Sequence, residues 1–232
     1  MPSWSDTWGD ILGGGPARWK VDDIDAKKIA LGHIVEHASG SDEVRGPLRI
    51  LCPLAGDDPF VRHAWSEGHV LTAVDIVPEA LGSMRDQFGA DADDWTSEGV
   101  EGASDGLIWK HASGRATLYE GDVLARRREL LNSFDAVYDK DSFGALPLDV
   151  RSKFCERLSG FVKDGGVVYL EVKNKETGRE GGPPFHVEKS DVMDEANFGA
   201  SFEYVAGLGE VYPLKMPGMK QIGHVLRRLP RG

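Results

Sequence analysis

Only two cysteines, Cys52 and Cys155, occur in the 232 residues. Two thiols cannot supply a disulfide framework and suit a reducing compartment, so a cytoplasmic protein is expected. Long apolar runs are also missing. No stretch approaches the roughly 18 residues that span a bilayer, and the opening MPSWSDTWGD lacks the basic-then-apolar order of a signal peptide. Basic residues are scarce, with 27 Lys and Arg against 38 Asp and Glu for a net charge of −11. Nucleic-acid affinity depends mainly on neutralising phosphates, so neither DNA nor RNA is expected as a partner, and Arg126–Arg128 reads as a solvated helix face. The phosphate-cradling patterns G-x-G-x-x-G and G-x-x-x-x-G-K-[ST] are absent, as is the hydrolase elbow G-x-S-x-G. His33 and His37 have chelating i, i+4 spacing. Glu36 stands directly before the second histidine, and no cysteine is near, so no metal is expected. These exclusions leave a small, neutral or cationic ligand.

What the chain does contain is an alternation. Residues 25–38 predict an amphipathic helix with Asp25 as its N-cap and Ile29, Leu31, Ile34, Val35 and Ala38 on the apolar face. Strand-like runs follow at 47–54, 69–76, 115–122, 134–141 and 165–173, separated by helical stretches at 59–68, 78–88, 123–131 and 148–162. The segment 89–114 is polar, acidic and Gly-rich and reads as a surface insertion, while 202–212 and 220–229 read as two antiparallel strands. Strands alternating with helices predict an α/β protein, doubly wound, with a mostly parallel sheet and C-terminal antiparallel strands. A Trp-, Gly- and Pro-rich segment, 1–24, precedes a single domain, 25–232. In such sheets ligands bind beyond the carboxyl ends of the strands, where strand order reverses.

The chemistry-bearing residues cluster at those ends. In LRILCPLAGDDPF (48–60) an apolar strand runs into Gly56, a point of close backbone approach, followed by Asp57 and Asp58 where a phosphate loop would carry lysine. Asp75 ends the second strand, about 20 residues after the loop glycine, where an acid accepts ribose hydroxyls. Asp122 ends the third, suited to an adenine amino group, and Asp139 and Asp141 end the fourth. A ligand with a ribose, an adenine and an ammonium but no phosphate is S-adenosylmethionine.

With these residues placed, the chain resembles the thiopurine S-methyltransferase-like family, which also holds plant and algal thiol and halide methyltransferases. WSDTW (4–8), PLRILCPLAGDD (47–58), GHVLTAVDIVPEAL (68–81), GD (121–122), FDAVYDKDSFGALP (134–147) and GGPPFHV (181–187) carry the resemblance. It implies a Rossmann-like class I methyltransferase with a seven-stranded sheet, using S-adenosylmethionine, yielding S-adenosylhomocysteine and needing no metal. The acceptor it implies is a small molecule methylated at a thiol or thioether sulfur, or a halide. Trp4 and Trp8 would cover the cofactor, with Trp19 as a further anchor of that lid. Leu54 and Gly56 would line it, Asp75 with Ile76 would hold the ribose side, and Asp122 with Val123 would meet the adenine. Asp139 is counted with the cofactor contacts and, beside Asp141 and His186, among the acid–base candidates. The chain departs from the family at Ala55 and Asp57, where cysteine and lysine are common, at Lys140, where arginine is usual, and at Asp75, often Glu. A monomer is expected, with no membrane partner. The competing readings are a noncatalytic S-adenosylmethionine- or nucleoside-binding regulator on the same fold and, disfavoured by the missing pyrophosphate loop, a nicotinamide-dependent oxidoreductase.

Overall fold

The computed structural model describes residues 4–15, 20, 21, 23–38, 46–89, 92–99 and 106–232. Trp19 lies outside them, and of Trp4 only the backbone is described. Five strands form the parallel centre: β1 (Arg49–Pro53) and β2 (Val70–Asp75), then β5 (Ala116–Glu120), β6 (Phe134–Lys140) and β7 (Val162–Lys175). β2 lies between β1 and β5, and β6 between β1 and β7. The C-terminal strands β8 (Phe202–Tyr212) and β9 (Met219–Arg228) join antiparallel, β9 along β7 and β8 outermost. These seven strands are the sheet expected.

Two more extend it. β3 (Trp95–Gly99) and β4 (Leu107–His111) form an antiparallel hairpin on the β5 edge, giving the order β3-β4-β5-β2-β1-β6-β7-β9-β8 among the described residues. The 89–114 insertion is therefore more than loop. Its few large side chains explain why: Trp95 meets His111 at 5.0 Å and Phe88 at 5.2 Å, and the Arg85 guanidinium lies 3.5 Å from the Trp109 ring centre. Aromatic packing against the neighbouring helices outweighs the polar composition.

Side-chain alternation builds two cores. From β1, Ile50 and Cys52 join the cluster formed with helices α2 (Ile24–Ala38), α3 (Phe60–Ser66) and α4 (Pro78–Asp86). Leu51 points to the other face, where α6 (Leu148–Phe161) contributes Phe154, Cys155, Leu158 and Phe161. Helices cover both faces, as a doubly wound sheet requires. The chain leaves β1 toward β5 on one side and returns to β6 on the other, so strand order reverses between β1 and β6.

Local readings differ in three places. The N-cap of α2 is Asp23, whose carboxylate accepts the Asp25 N–H at 2.9 Å, rather than Asp25. The buried stripe of that helix runs through Ala26, Lys27, Ala30, Leu31 and Ile34, leaving Ile29 47% exposed, because Lys27 turns inward to Asp58 and Tyr138 and sets the phase. The helix expected over 123–131 reduces to a 3₁₀ turn at Arg128–Leu130, and Arg127 is buried against Tyr119 rather than solvated. Among the described residues no helix is long and apolar enough to cross a membrane.

Phe198 is fully buried between Phe143 and Phe202, with ring centres 5.7 and 5.4 Å away. Phe198→Ala should cost about 3–5 kcal/mol in urea unfolding. A loss below about 1 kcal/mol would show that this second core is not where the stability resides.

Candidate active site

A cavity of about 600 Å³ opens at the carboxyl ends of β1, β2, β6 and β7, across the reversal point. One side is the loop after β1. Leu54 and Gly56 both adopt left-handed backbone conformations, φ 43° and 54°, which turn the chain sharply off the strand. The turn is pinned by Asp75, whose carboxylate accepts the Gly56 N–H at 2.7 Å and the Val77 N–H at 2.9 Å. Burial raises the Asp75 pKa, and these donors oppose the rise. Ile76, the next residue, is left 60% exposed at the cavity rim.

Above this loop lies α1 (Trp4–Leu12). Its Trp8 is buried with Val77 and Ala80, and a Cβ on Gly56 would stand 3.1 Å from the Trp8 ring. Glycine at 56 is thus required twice, for its backbone angle and for the indole over it. Lys20 stands 5.4 Å from the Trp8 ring centre and is ion-paired to Asp57.

The two loop aspartates are engaged within the protein. Asp57 also accepts the Ser83 hydroxyl at 2.8 Å, and Asp58 caps α3 through the Phe60 N–H while pairing with buried Lys27 at 2.8 Å. Lys27 reaches the Tyr138 hydroxyl at 3.2 Å, and Tyr138 stacks on Phe60 and faces the cavity.

The opposite side is built on β6 and β7. Asp141 is left-handed at φ 66°. This strained position aims its carboxylate at two ammonium groups, since Lys140 and Lys173 both lie 3.0 Å from Oδ2. Gln221 donates to Oδ1 at 3.0 Å and accepts from Lys173. Burial would raise the Asp141 carboxyl, but the two lysines outweigh it and hold it at about 2. Burial lowers Lys173, with Asp141 partly restoring it, whereas Lys140 is held above its ordinary value by Asp141, Asp58 and Glu171 despite its burial. The outer wall is Pro183, Pro184 and Phe185 with Met216 and Met219. Phe185 folds back over Gly182, where any side chain would collide with its ring, and its N–H binds Gly144 O at 2.9 Å.

Of the residues picked from sequence, the cavity gathers Trp8, Leu54, Gly56, Asp75, Ile76 and Asp141. Asp139, Asp122, Val123 and His186 do not line it. Asp139 is fully buried beneath, its Oδ1 accepting the Ser142 N–H at 2.8 Å and its Oδ2 unpartnered among the described residues. Asp122 is exposed and accepts the Leu124 N–H, and Val123 is buried in the core. His186 is buried beside β7, its Nδ1 at the Lys175 backbone and its Nε2 3.2 Å from Glu188, which suits a strut for the Pro-Pro-Phe loop. Sequence reading missed Lys173, Gln221 and Tyr138. Lysine between valine and asparagine in a buried strand was the available signal for the first.

Comparison with known proteins follows from this geometry. Residues 14–215 match the family described as thiopurine S-methyltransferase. The chain belongs to that family. The dog thiopurine S-methyltransferase is 25% identical over 145 residues, 62% of this chain and 58% of that protein, so the chain matches little more than half the length of that relative. Among solved structures, the Burkholderia thailandensis 1,6-didemethyltoxoflavin-N1-methyltransferase, holding its substrate and S-adenosylhomocysteine, superposes with a TM-score of 0.64 at 15% identity, covering 99% of this chain and 92% of the other. The [4+2]-cyclase SpnF superposes at 0.62 with 14% identity, covering 97% and 93%. At such identities the likeness shows the fold, and the pair demonstrates that one fold carries different reactions.

Burial raises Asp139 to about 7, against the hydrogen bonds from Ser142. The folded state therefore holds this proton more tightly than the unfolded chain, whose carboxyl titrates near 3.9. The stabilisation by the neutral acid is complete below about pH 4 and lost as pH rises through 7. Asp139→Asn, which copies the neutral acid, should melt with the parent at pH 4 and above it at pH 8. Parallel melting curves across that range would contradict the assignment.

Proposed function

We propose that the protein is an S-adenosylmethionine-dependent methyltransferase acting on a small molecule, at a thiol or thioether sulfur or on a halide. The observation that supports this most is the cavity's division into two unlike halves at the strand reversal. One half has a left-handed glycine loop beneath a tryptophan, a rim carboxylate and an uncovered isoleucine. The other is an apolar wall of Pro183, Pro184, Phe185, Met216 and Met219 above buried lysines.

The first half fits an adenosyl group. The left-handed turn at Gly56 carries the loop backbone along the cavity, Asp75 retains acceptor capacity toward ribose hydroxyls, and Ile76 offers an adenine ring an apolar face. Asp122 and Val123 follow β5, which is paired to β2 with Glu120 opposite Asp75, and so flank that rim. No phosphate-binding lysine sits on the loop, and Trp8 with Lys20 roofs it. The cofactor would supply a methyl group on cationic sulfur, which passes to the acceptor as the carbon–sulfonium bond breaks and its electron pair stays with the departing sulfur.

The protein's contribution is positioning and exclusion of water. A carboxylate held at about 2 is a poor base at neutral pH, so Asp141 serves to hold its lysines. Asp139 has a value suited to a base but lies beneath the cavity floor. The arrangement therefore suits an acceptor that arrives ionised or has no proton to lose.

Labelled S-adenosylmethionine offered with thiols, thioethers and halides tests the reading. Turnover is expected with at least one sulfur or halide acceptor, and tight binding without any turnover would favour the regulator instead. Ile76→Ala removes an exposed side chain, so the melting temperature should hold while calorimetric affinity for S-adenosylhomocysteine falls by about 1.5 kcal/mol or more. Unchanged affinity would move the adenine elsewhere.

A further inference from the structure

We infer that α2 carries a divalent transition-metal site made by His33, Glu36 and His37, separate from the cavity. Their ligand atoms, one from each side chain, all lie within 4.8 Å of one another. Glu36 follows His33 by three residues and His37 by four, so the two flank it on one face of the helix. None of the three lines the cavity, and the role of the ion is structural.

The backbone beneath these donors is fixed. α2 packs inward through Ala26, Ala30, Leu31 and Ile34, and Arg227 of β9 donates to the His37 carbonyl at 3.2 Å. The rings are aligned as well. His33 lies nearly parallel to the fully buried Tyr169 of β7, with ring centres 6.2 Å apart and planes 14° off. His37 lies at 6.4 Å and 18° from His33, and Glu36 Oε2 stands 3.7 Å from His33 Nδ1. Zinc bonds imidazole nitrogen and carboxylate oxygen at about 2.0–2.2 Å, so two donors on one ion stand at most about 4 Å apart. Side-chain rotation closes the remaining gap without moving the helix.

The donor set chooses the kind of ion. Two imidazoles and a carboxylate suit zinc, nickel or copper, whereas calcium and magnesium take oxygen ligands. Three protein ligands leave a tetrahedral ion one position for water. In the order H-E-x-x-H the acid is a general base. Here it stands just before the second histidine, where it ligates instead, so the order that excludes protease chemistry permits a structural ion. A rival seat is the groove between α2 and α3, which Glu36 borders together with His63, Glu67 and His69. It is the poorer one, because Lys28 lines the same groove and His69 Nδ1 accepts the Leu48 N–H at 3.1 Å.

Calorimetric titration of the full chain with zinc should show one ion bound per chain and removed by a chelator, while magnesium and calcium give no binding. His33→Gln and His37→Gln should each weaken zinc at least tenfold, and Glu36→Gln by less. Melting without metal checks that each variant folds. With zinc at about 100 times its Kd the parent should melt about 5 °C or more higher, a rise that both histidine variants lose. His63→Gln should bind zinc and melt like the parent. Zinc lost in His63→Gln but kept in His33→Gln would put the ion in the groove and overturn the inference. So would no binding at millimolar zinc, or unchanged affinity in both His33→Gln and His37→Gln. S-adenosylhomocysteine should bind all these variants as it binds the parent, so failure of the ion site is distinct from failure of the methyltransferase reading.

Discussion

Two hydrogen bonds to the Asp75 carboxylate, from Gly56 at 2.7 Å and Val77 at 2.9 Å, join the end of one central strand to the end of its neighbour. The rest of the site is arranged around that clamp. It draws the loop after β1 into its left-handed turn, which brings Gly56 beneath Trp8, and Trp8 packs on Val77 next to the second donor. Ile76, between the clamped residues, is turned outward and left uncovered. The carboxylate is buried at a cost, and two backbone amides offset part of it. A rim residue that binds backbone from two segments ties the fold to the shape of the cavity.

Two acids separated by one residue at the end of β6 are driven in opposite directions. Asp139 is fully buried, with one oxygen unpartnered among the described residues, and is pushed up to about 7. Asp141 meets Lys140, Lys173 and Gln221 and is held at about 2. Adjacent groups whose surroundings separate them so far have different jobs. The first holds the turn after β6 together through Ser142, and the second holds the ammonium groups of Lys140 and Lys173 at the cavity wall.

The scaffold underneath does not specify a reaction. A methyltransferase and a cyclase both superpose on it at about 15% identity or less. The side chains at the strand ends, among them Lys140, Lys173 and Asp57, belong to the cavity, whereas the added hairpin widens the sheet at the β5 edge. In the β3–β4 hairpin His111 packs on Trp65 of α3, Trp109 on Arg85 of α4 and Trp95 on Phe88 just beyond α4, so the hairpin reinforces the edge of the sheet.

The sequence by itself determined the alternation of strands and helices, the loop glycine, the acid ending the second strand and the family, because hydrophobic period and short motifs are local properties of the chain. It did not disclose which side chains would meet. Lys173 and Asp141 are 32 residues apart, Lys173 and Gln221 48, and Gln221 and Asp141 80, and strand register alone brings them together. For the same reason the sequence did not show that His186, Asp122 and Asp139 stand outside the cavity lining, where they bond to the Lys175, Leu124 and Ser142 backbone. Tertiary packing also set the phase of α2 by drawing Lys27 inward, since the charge it satisfies lies on another element. Periodicity decides which face of an element is buried, but only the assembled sheet decides which charges are buried with it.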